Sequence, residues 1–120
     1  MKAEEKKKQG NEEFKNKNFK RAIELYEEAI RIDPNEIVYH SNIAAAQIEL
    51  KDYDQAIAEC DRAIEKSKGL AEYDFILLSK CMARKAQALQ NKEDLDNAIL
   101  TYRLALLEQE KHKKKIAGDY

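Results

Sequence analysis

The sequence is poor in residues that interrupt helices and in residues that cross-link a chain. Its 120 residues include three Gly, one Pro, two Cys and no Trp. This scarcity of Gly and Pro disfavours a turn-rich β fold and favours long, uninterrupted helices. Two cysteines without a CxxC spacing do not form a disulfide framework. The length suits one domain or a few small repeats, because two full globular domains need a longer chain.

An excess of one charge and a long apolar run are also lacking. The 22 Lys and Arg residues balance 23 Asp and Glu residues, which leaves a net charge of -1. We therefore expect neither nucleic acid nor an anionic membrane as a partner. The longest stretch without Lys, Arg, Asp or Glu covers residues 37–48 and is too short to span a bilayer. The N-terminal residues carry charges of both signs, unlike a signal peptide, so a cytoplasmic location is the expectation.

One helical pattern occurs three times in the chain. Ala-Ile pairs begin at Ala22, Ala56 and Ala98, and each first Ala is followed by another Ala seven residues later. Spacings of three, four and seven place side chains on one face of a helix. Four positions before each pair lies a side chain that can cap a helix start, namely Asn18, Asp52 and Asp94. The copies are offset by 34 and then 42 residues, which predicts three helical units.

A second helical segment precedes each of these helices and has a small residue at a fixed place: Gly10, Ala44 and Ala86. A small side chain there lets two antiparallel helices approach closely. Pro34 ends the first pair, since proline disfavours a helical conformation of the residue before it. We therefore predict an all-α fold of stacked helix hairpins, with one long final helix from residue 95 to about residue 115.

This register resembles the tetratricopeptide repeat (TPR), a 34-residue helix hairpin. The small, Ala, aromatic, Ala and Pro positions of the TPR pattern are occupied in the first repeat by Gly10, Ala22, Tyr26, Ala29 and Pro34. The resemblance implies a right-handed superhelix in a single domain, 1–120, with repeats at about 3–36, 37–70 and 79–112. Eight extra residues separate the second repeat from the third, which predicts an extended connection over about 66–78.

The first helices of such repeats face a shared concave groove, and here they carry a set of cations and amides. The set is Lys7, Asn11, Asn42, Lys80 and Arg84. Guanidinium and ammonium groups grip carboxylates, so this set suits an anion with two acceptor groups. It resembles, residue by residue, the two-carboxylate clamp of co-chaperone TPR domains. The resemblance implies that these residues hold both carboxylates of the C-terminal Asp in an EEVD tail.

EEVD tails end both heat-shock protein 90 and heat-shock protein 70. The extended connection and the segments 10–14 and 80–84 resemble the middle TPR domain of the co-chaperone that organises these two proteins (Hop). This resemblance implies heat-shock protein 90 as the first partner and heat-shock protein 70 as the second. Phe14 stands where the family offers a ring to the Val of the tail. Glu49 stands where a carboxylate receives N–H groups of the peptide.

Two alternatives stay open. The chain can be the chaperone-targeting domain of an enzyme, such as a phosphatase or a prolyl isomerase, whose catalytic part is absent, or a helical scaffold for another protein. We expect no catalysis, cofactor or metal, because His40 and His112 lack partners at ligand spacing and no phosphate loop or nucleophile elbow occurs. An uncovered Ala/Leu face on the third repeat also allows a homodimer.

Overall fold

The computed structural model describes residues 2–69 and 75–117, which form a stack of six helices. They are α1 (Ala3–Lys15), α2 (Phe19–Ile32), α3 (Val38–Glu49), α4 (Tyr53–Lys68), α5 (Phe75–Asn91) and α6 (Leu95–Ala117). Each helix packs on the next along the chain, and α3 also packs on α5. The prediction of an all-α fold of three stacked hairpins with a long last helix is confirmed. None of the described helices is long and apolar enough to cross a membrane.

Small residues lie where the two helices of each hairpin cross. Ala22, Ala56 and Ala86 are completely buried. At Gly10 the two helices are so close that an added Cβ would lie 2.6 Å from Cε1 of the Tyr26 ring. That separation is far shorter than a van der Waals contact, so only glycine lets α1 and α2 pack in this way.

Equivalent positions in the register build the contacts between successive repeats. Ile30 of α2 packs against the cluster that contains Ile43 of α3. Ile64, which is 34 residues after Ile30, packs against the cluster that contains Cys81 of α5. The second helices of the first and second repeats therefore pack on the first helix of the following repeat through the same face.

The turn inside each hairpin has the same backbone conformation. Lys17, Lys51 and Glu93 have φ angles of 64°, 63° and 69°, in the left-handed region. These residues are equivalent in the repeat register, although none of them is Gly. Side chains with a Cβ adopt this conformation only at a cost in energy, so each turn contains one strained residue.

The predicted capping role is wrong for two of the three residues. Asn18 and Asp52 precede α2 and α4, but neither side chain caps its helix. The amide of Asn18 is turned away and donates a hydrogen bond to Oε2 of Glu13 at 2.8 Å. Asp94 does cap α6, since the backbone N–H of Asn97 donates to its Oδ1 at 3.4 Å.

The expected connection over 66–78 lies partly outside the described residues, which leave out 70–74. On its near side α4 continues to Lys68, and on its far side α5 begins at Phe75. Helix α5 has 17 residues, whereas α3, its equivalent in the second repeat, has 12. Part of the insertion is therefore helical and lengthens the start of α5.

Candidate peptide-binding site

Two adjoining grooves follow the first helices of the hairpins. The first, which we call the clamp groove, has a volume of about 530 Å³ and is lined by Asn11, Glu12, Phe14, Lys15, Tyr26, Asn42, Ala45 and Arg84. The second, which we call the distal groove, has a volume of about 650 Å³ and is lined by Lys80, Ala83, Arg84, Gln87, Gln90, Asn91 and Tyr102. Arg84 lines both, so the two grooves meet at its side chain.

Four of the five residues predicted to form a clamp lie in these grooves. Asn11, Asn42 and Arg84 come from α1, α3 and α5 and line the clamp groove together. Lys80 lies one helical turn before Arg84 and lines the distal groove. The donors therefore converge from three different hairpins, as expected from the repeat register.

Lys7 lines neither groove. Its Nζ forms an ion pair with Oε1 of Glu4 at 2.9 Å, and both side chains are partly exposed. Lys7 lies four residues before Asn11 on α1, and therefore on the same face of that helix. In this structure its ammonium group is therefore engaged by Glu4 and not by the residues that line the clamp groove.

Asn11 is oriented by Tyr26, which in the sequence stands out only as the aromatic position of the TPR pattern. The hydroxyl of Tyr26 donates a hydrogen bond to Oδ1 of Asn11 at 2.7 Å. The oxygen and nitrogen of an amide point in different directions, so fixing Oδ1 leaves the Nδ2 donors for a ligand. The signal available in the sequence was the hydroxyl of Tyr26, whose equivalent in the second repeat is Cys60.

Burial keeps this orienting hydroxyl protonated. It raises the pKa of Tyr26 to about 12, while the positive charge of Arg84 acts in the opposite direction to a smaller extent. Tyr26 is therefore a hydrogen-bond donor across the physiological pH range. The same Arg84 also lowers the pKa of the buried Cys60 thiol, which burial itself raises to about 12. The guanidinium of Arg84 thus acts on two buried groups, of which Tyr26 lines the clamp groove.

The two secondary predictions have different outcomes in the structure. Phe14 lines the clamp groove, and its ring meets Phe19 edge to face with 5.1 Å between the ring centroids. Glu49 is the last residue of α3, is exposed, and lines neither groove. The structure therefore brings the ring to the site, and leaves the carboxylate of Glu49 outside both grooves.

Sequence reasoning missed the amide wall of the distal groove. Gln87 and Asn91 follow Arg84 by three and seven residues, which places all three on one face of α5. The hydroxyl of Tyr102 donates a hydrogen bond to Oε1 of Gln90 at 3.2 Å. The helical spacing from Arg84 was the signal that could have identified these residues.

His40 lies outside the grooves, with both ring nitrogens engaged. Its Nδ1 is 2.8 Å from Oε2 of Glu59, and the ammonium group of Lys66 donates to its Nε2 at 2.9 Å. Among the residues that the structure describes, no group of three His, Cys, Asp or Glu side chains could hold a metal ion. The polar lining of the two grooves consists of amides, cations and the Tyr26 and Tyr102 hydroxyls, together with one carboxylate, that of Glu12.

The hairpin register and the grooves define a class of repeat protein. Tetratricopeptide repeat family models match residues 13–74 and 79–112. The chain belongs to the tetratricopeptide repeat family.

Within that family, the chain is similar to the TPR regions of proteins named for two chaperones. It is 43% identical over 108 residues to the Hsp70-Hsp90 organising protein of Plasmodium falciparum, which covers 90% of this chain and 19% of that protein. It is 39% identical over 103 residues to the Hsp70-Hsp90 organizing protein of Triticum aestivum, which covers 82% of this chain and 18% of that protein. The chain spans about a fifth of the length of these curated relatives.

Solved structures of the same kind share its fold. The TPR2AB domain of yeast Sti1 in complex with pHSP90 superposes with a TM-score of 0.86 at 30% identity, covering 98% of this chain and 49% of that one. The TPR2B domain of yeast Sti1 in complex with pHsp70 gives a TM-score of 0.80 at 30% identity, covering 99% and 90%. This chain is therefore a TPR region similar to those of Hop and Sti1.

Proposed function

We propose that the chain binds the free C-terminal EEVD tail of a heat-shock protein, without catalysis and in the cytoplasm. The observation that supports this function is the convergence of Asn11, Asn42 and Arg84 on one groove, with Lys80 beside Arg84. Cations and amide N–H groups are the donors that two neighbouring carboxylates need. The similar proteins and complexes are named for heat-shock proteins 90 and 70, which supports this class of ligand.

In this proposal the C-terminal Asp lies where the two grooves meet. Arg84 grips one carboxylate with its planar guanidinium, and Lys80 adds a compact charge beside it. The amides of Asn11 and Asn42 donate hydrogen bonds from the opposite helices. Lys7 exchanges the carboxylate of Glu4 for that of the ligand, at a small cost, because an exposed ion pair contributes about 1 kcal/mol or less.

The residues before the terminal Asp occupy the remaining surface of the grooves. The ring of Phe14, with Ala45 and Tyr26, gives the clamp groove an apolar part that suits the Val of the tail. The acidic residues are accommodated by the amides and cations of the distal groove, in which Gln87 and Asn91 follow Lys80 and Arg84. Glu49 is proposed to act only on a longer peptide, because it lies outside both grooves.

Heat-shock protein 90 is the proposed first partner and heat-shock protein 70 the second. The insertion before the third repeat, which lengthens α5, supports this order through its resemblance to the middle TPR domain of the organising co-chaperones. Similar structures are complexes with peptides of both chaperones. Titrations with tails ending in MEEVD and in IEEVD under identical conditions would rank the two partners.

The test of the clamp is a calorimetric titration with a peptide ending in MEEVD. We expect a dissociation constant in the micromolar range, as for a short extended peptide. This range corresponds to a binding free energy of about -8 kcal/mol. Amidation of the peptide C-terminus and the variant Lys80→Ala should each weaken binding at least tenfold. A tenfold change corresponds to a loss of about 1.4 kcal/mol in binding free energy. Lys113→Ala removes an exposed cation of α6 far along the chain and serves as the matched control.

Two results would overturn this proposal. One is no binding of the peptide at millimolar concentration, and the other is binding that survives amidation. The second result would favour a scaffold that binds another kind of segment, since such a scaffold has no use for a free carboxylate.

A further inference from the structure

A third groove lies at the tips of the first two hairpins, where α1 turns into α2 and α3 ends. We call it the tip groove. It has a volume of about 500 Å³ and is lined by Glu13, Lys17, Asn18, Phe19, Lys20, Arg21 and Leu50. It shares no lining residue with the clamp groove or the distal groove. The ring of Phe19 touches that of Phe14 in the clamp groove, so the two grooves are neighbours.

The repeat register shows why the chain is open at this place. An ion pair between Asp54 and Lys92 joins the tips of the second and third hairpins. With the offsets of 34 and 42 residues, Asp54 corresponds to Lys20 and Lys92 corresponds to Leu50. The first junction therefore has a cation and an aliphatic side chain at the positions where the second junction has an ion pair.

The tip groove carries an excess of positive charge. Its lining has three cations, Lys17, Lys20 and Arg21, and one carboxylate, that of Glu13. The amide of Asn18 already donates a hydrogen bond to this carboxylate at 2.8 Å. Arg21 has a carboxylate partner, but both side chains of that pair are more than half exposed, so the pair is weak. Within residues 2–69 and 75–117, neither Lys17 nor Lys20 forms an ion pair.

The tip groove also has an apolar part. Leu50 is 39% exposed, and Phe19 is partly buried beside it in the lining. A simple anion such as phosphate would use the cations and leave this apolar surface uncovered. An acidic peptide segment that contains an aliphatic or aromatic residue matches both the charge and the apolar contact.

We propose that the tip groove docks an acidic internal segment of a partner protein, in which an aliphatic or aromatic residue is flanked by Asp or Glu. The apolar side chain packs on Leu50 and Phe19, and the flanking carboxylates pair with Lys17 and Lys20. Side-chain carboxylates are sufficient, so the segment needs no free C-terminus. This site is separate from the clamp groove, and either proposal can therefore fail without the other.

The experiment is an NMR titration of the isotope-labelled chain with the peptide Glu-Glu-Leu-Glu-Glu, acetylated and amidated at its ends. The blocked ends remove the free carboxylate that the clamp requires. We expect chemical-shift changes centred on residues 17–21 and on Leu50, with a dissociation constant below about 1 mM. Peptides with Gln in place of every Glu, or with Gly in place of Leu, should bind about tenfold more weakly.

Two variants test the residues of the tip groove. Lys20→Asp combined with Leu50→Lys copies the junction formed by Asp54 and Lys92, and should abolish binding of the blocked peptide. Lys20→Gln alone should weaken binding about tenfold, and it keeps the test valid if the double variant does not fold. Lys113→Gln removes an exposed cation of α6 and is the matched control.

Four results would overturn docking in the tip groove. The first is an absence of shift changes at residues 17–21 and Leu50 at millimolar peptide, and the second is a set of changes centred on the clamp groove. The third is unchanged affinity of the Lys20→Gln variant. The fourth is equal affinity for the Glu peptide and either of its substituted forms, which would show that carboxylates or the apolar residue are not recognised.

Discussion

At the scale of single residues, Tyr26 connects packing to binding. Its ring fills the space that Gly10 leaves open, and its hydroxyl orients the amide of Asn11. A residue of the core thereby determines which atoms of a surface residue face the groove.

Tyr26→Phe keeps the ring and removes only the hydroxyl. We expect the affinity for an MEEVD peptide to fall about fivefold, because losing one hydrogen bond between neutral groups costs about 1 kcal/mol. Calorimetric titration measures this change, with Tyr53→Phe as the control, since Tyr53 packs in a different cluster and lines neither groove. Equal affinities of Tyr26→Phe and the unaltered chain would show that Asn11 needs no orienting partner.

Gly10→Ala tests the close approach of α1 and α2. Alanine favours helix more than glycine does, yet its Cβ would lie 2.6 Å from the Tyr26 ring. We therefore expect a loss of about 1–3 kcal/mol in the free energy of unfolding, the range found for overpacked cores. Urea denaturation measures it.

Gly69→Ala is the control for that substitution. The nearest atom to a Cβ at Gly69 is the carbonyl oxygen of Lys66 at 3.7 Å, an ordinary contact. This variant should be as stable as the parent or slightly more stable. If both alanine variants were equally stable, the steric argument at Gly10 would fail.

At the scale of elements, the repeated turns show what sequence patterns reveal and what they leave out. The Ala-Ile register predicted each hairpin because helical periodicity is a property of many residues together. The left-handed residues Lys17, Lys51 and Glu93 could not be predicted, because neither Lys nor Glu signals a positive φ. The capping role of Asn18 was wrong because its amide has a competing acceptor in Glu13.

Replacing a left-handed residue with glycine should stabilise the fold. Lys51 has a φ of 63° and is exposed, so its side chain contributes little that would be lost. We expect Lys51→Gly to raise the free energy of unfolding by about 0.5–1 kcal/mol through relief of strain. Lys51→Ala retains the Cβ and should bring no such gain. Thermal and urea denaturation of the two variants decide the comparison, and a loss of stability in Lys51→Gly would contradict it.

At the scale of the whole molecule, the clamp residues converge because the three hairpins are stacked. Asn11, Asn42 and Arg84 are far apart in sequence, and the repeat register alone placed them on neighbouring first helices. The pairing of Lys7 with Glu4 escaped prediction, because it depends on the rotamers of two flexible side chains. The role of Tyr26 could not be predicted either, because a Tyr at this position looks the same in the sequence whether or not its hydroxyl orients a neighbour.

Stability should fall in alkaline solution. Burial raises the pKa of Tyr26 from 10.0 to about 12 and that of Cys60 from 9.0 to about 12. Both groups are protonated in the fold and lose their protons more readily in the unfolded chain. Their contribution is therefore complete below pH 9 and is lost progressively as the pH rises from 9 to 12. Urea denaturation at pH 7, 9 and 10.5 should show this decline, and Cys60→Ala should make it shallower.

The ion pair with Glu4 gives Lys7 a carboxylate partner before any ligand is bound. In the proposed mechanism, an incoming tail displaces that carboxylate, so Lys7 is neutralised both before and after binding. Fewer small ions are then exchanged with the solution than the number of cations near the grooves suggests. The proposed clamp has three cations, Lys7, Lys80 and Arg84. The salt dependence of the affinity for the tail should therefore correspond to about two effective charges in the unaltered chain, and to about three in the variant Glu4→Gln.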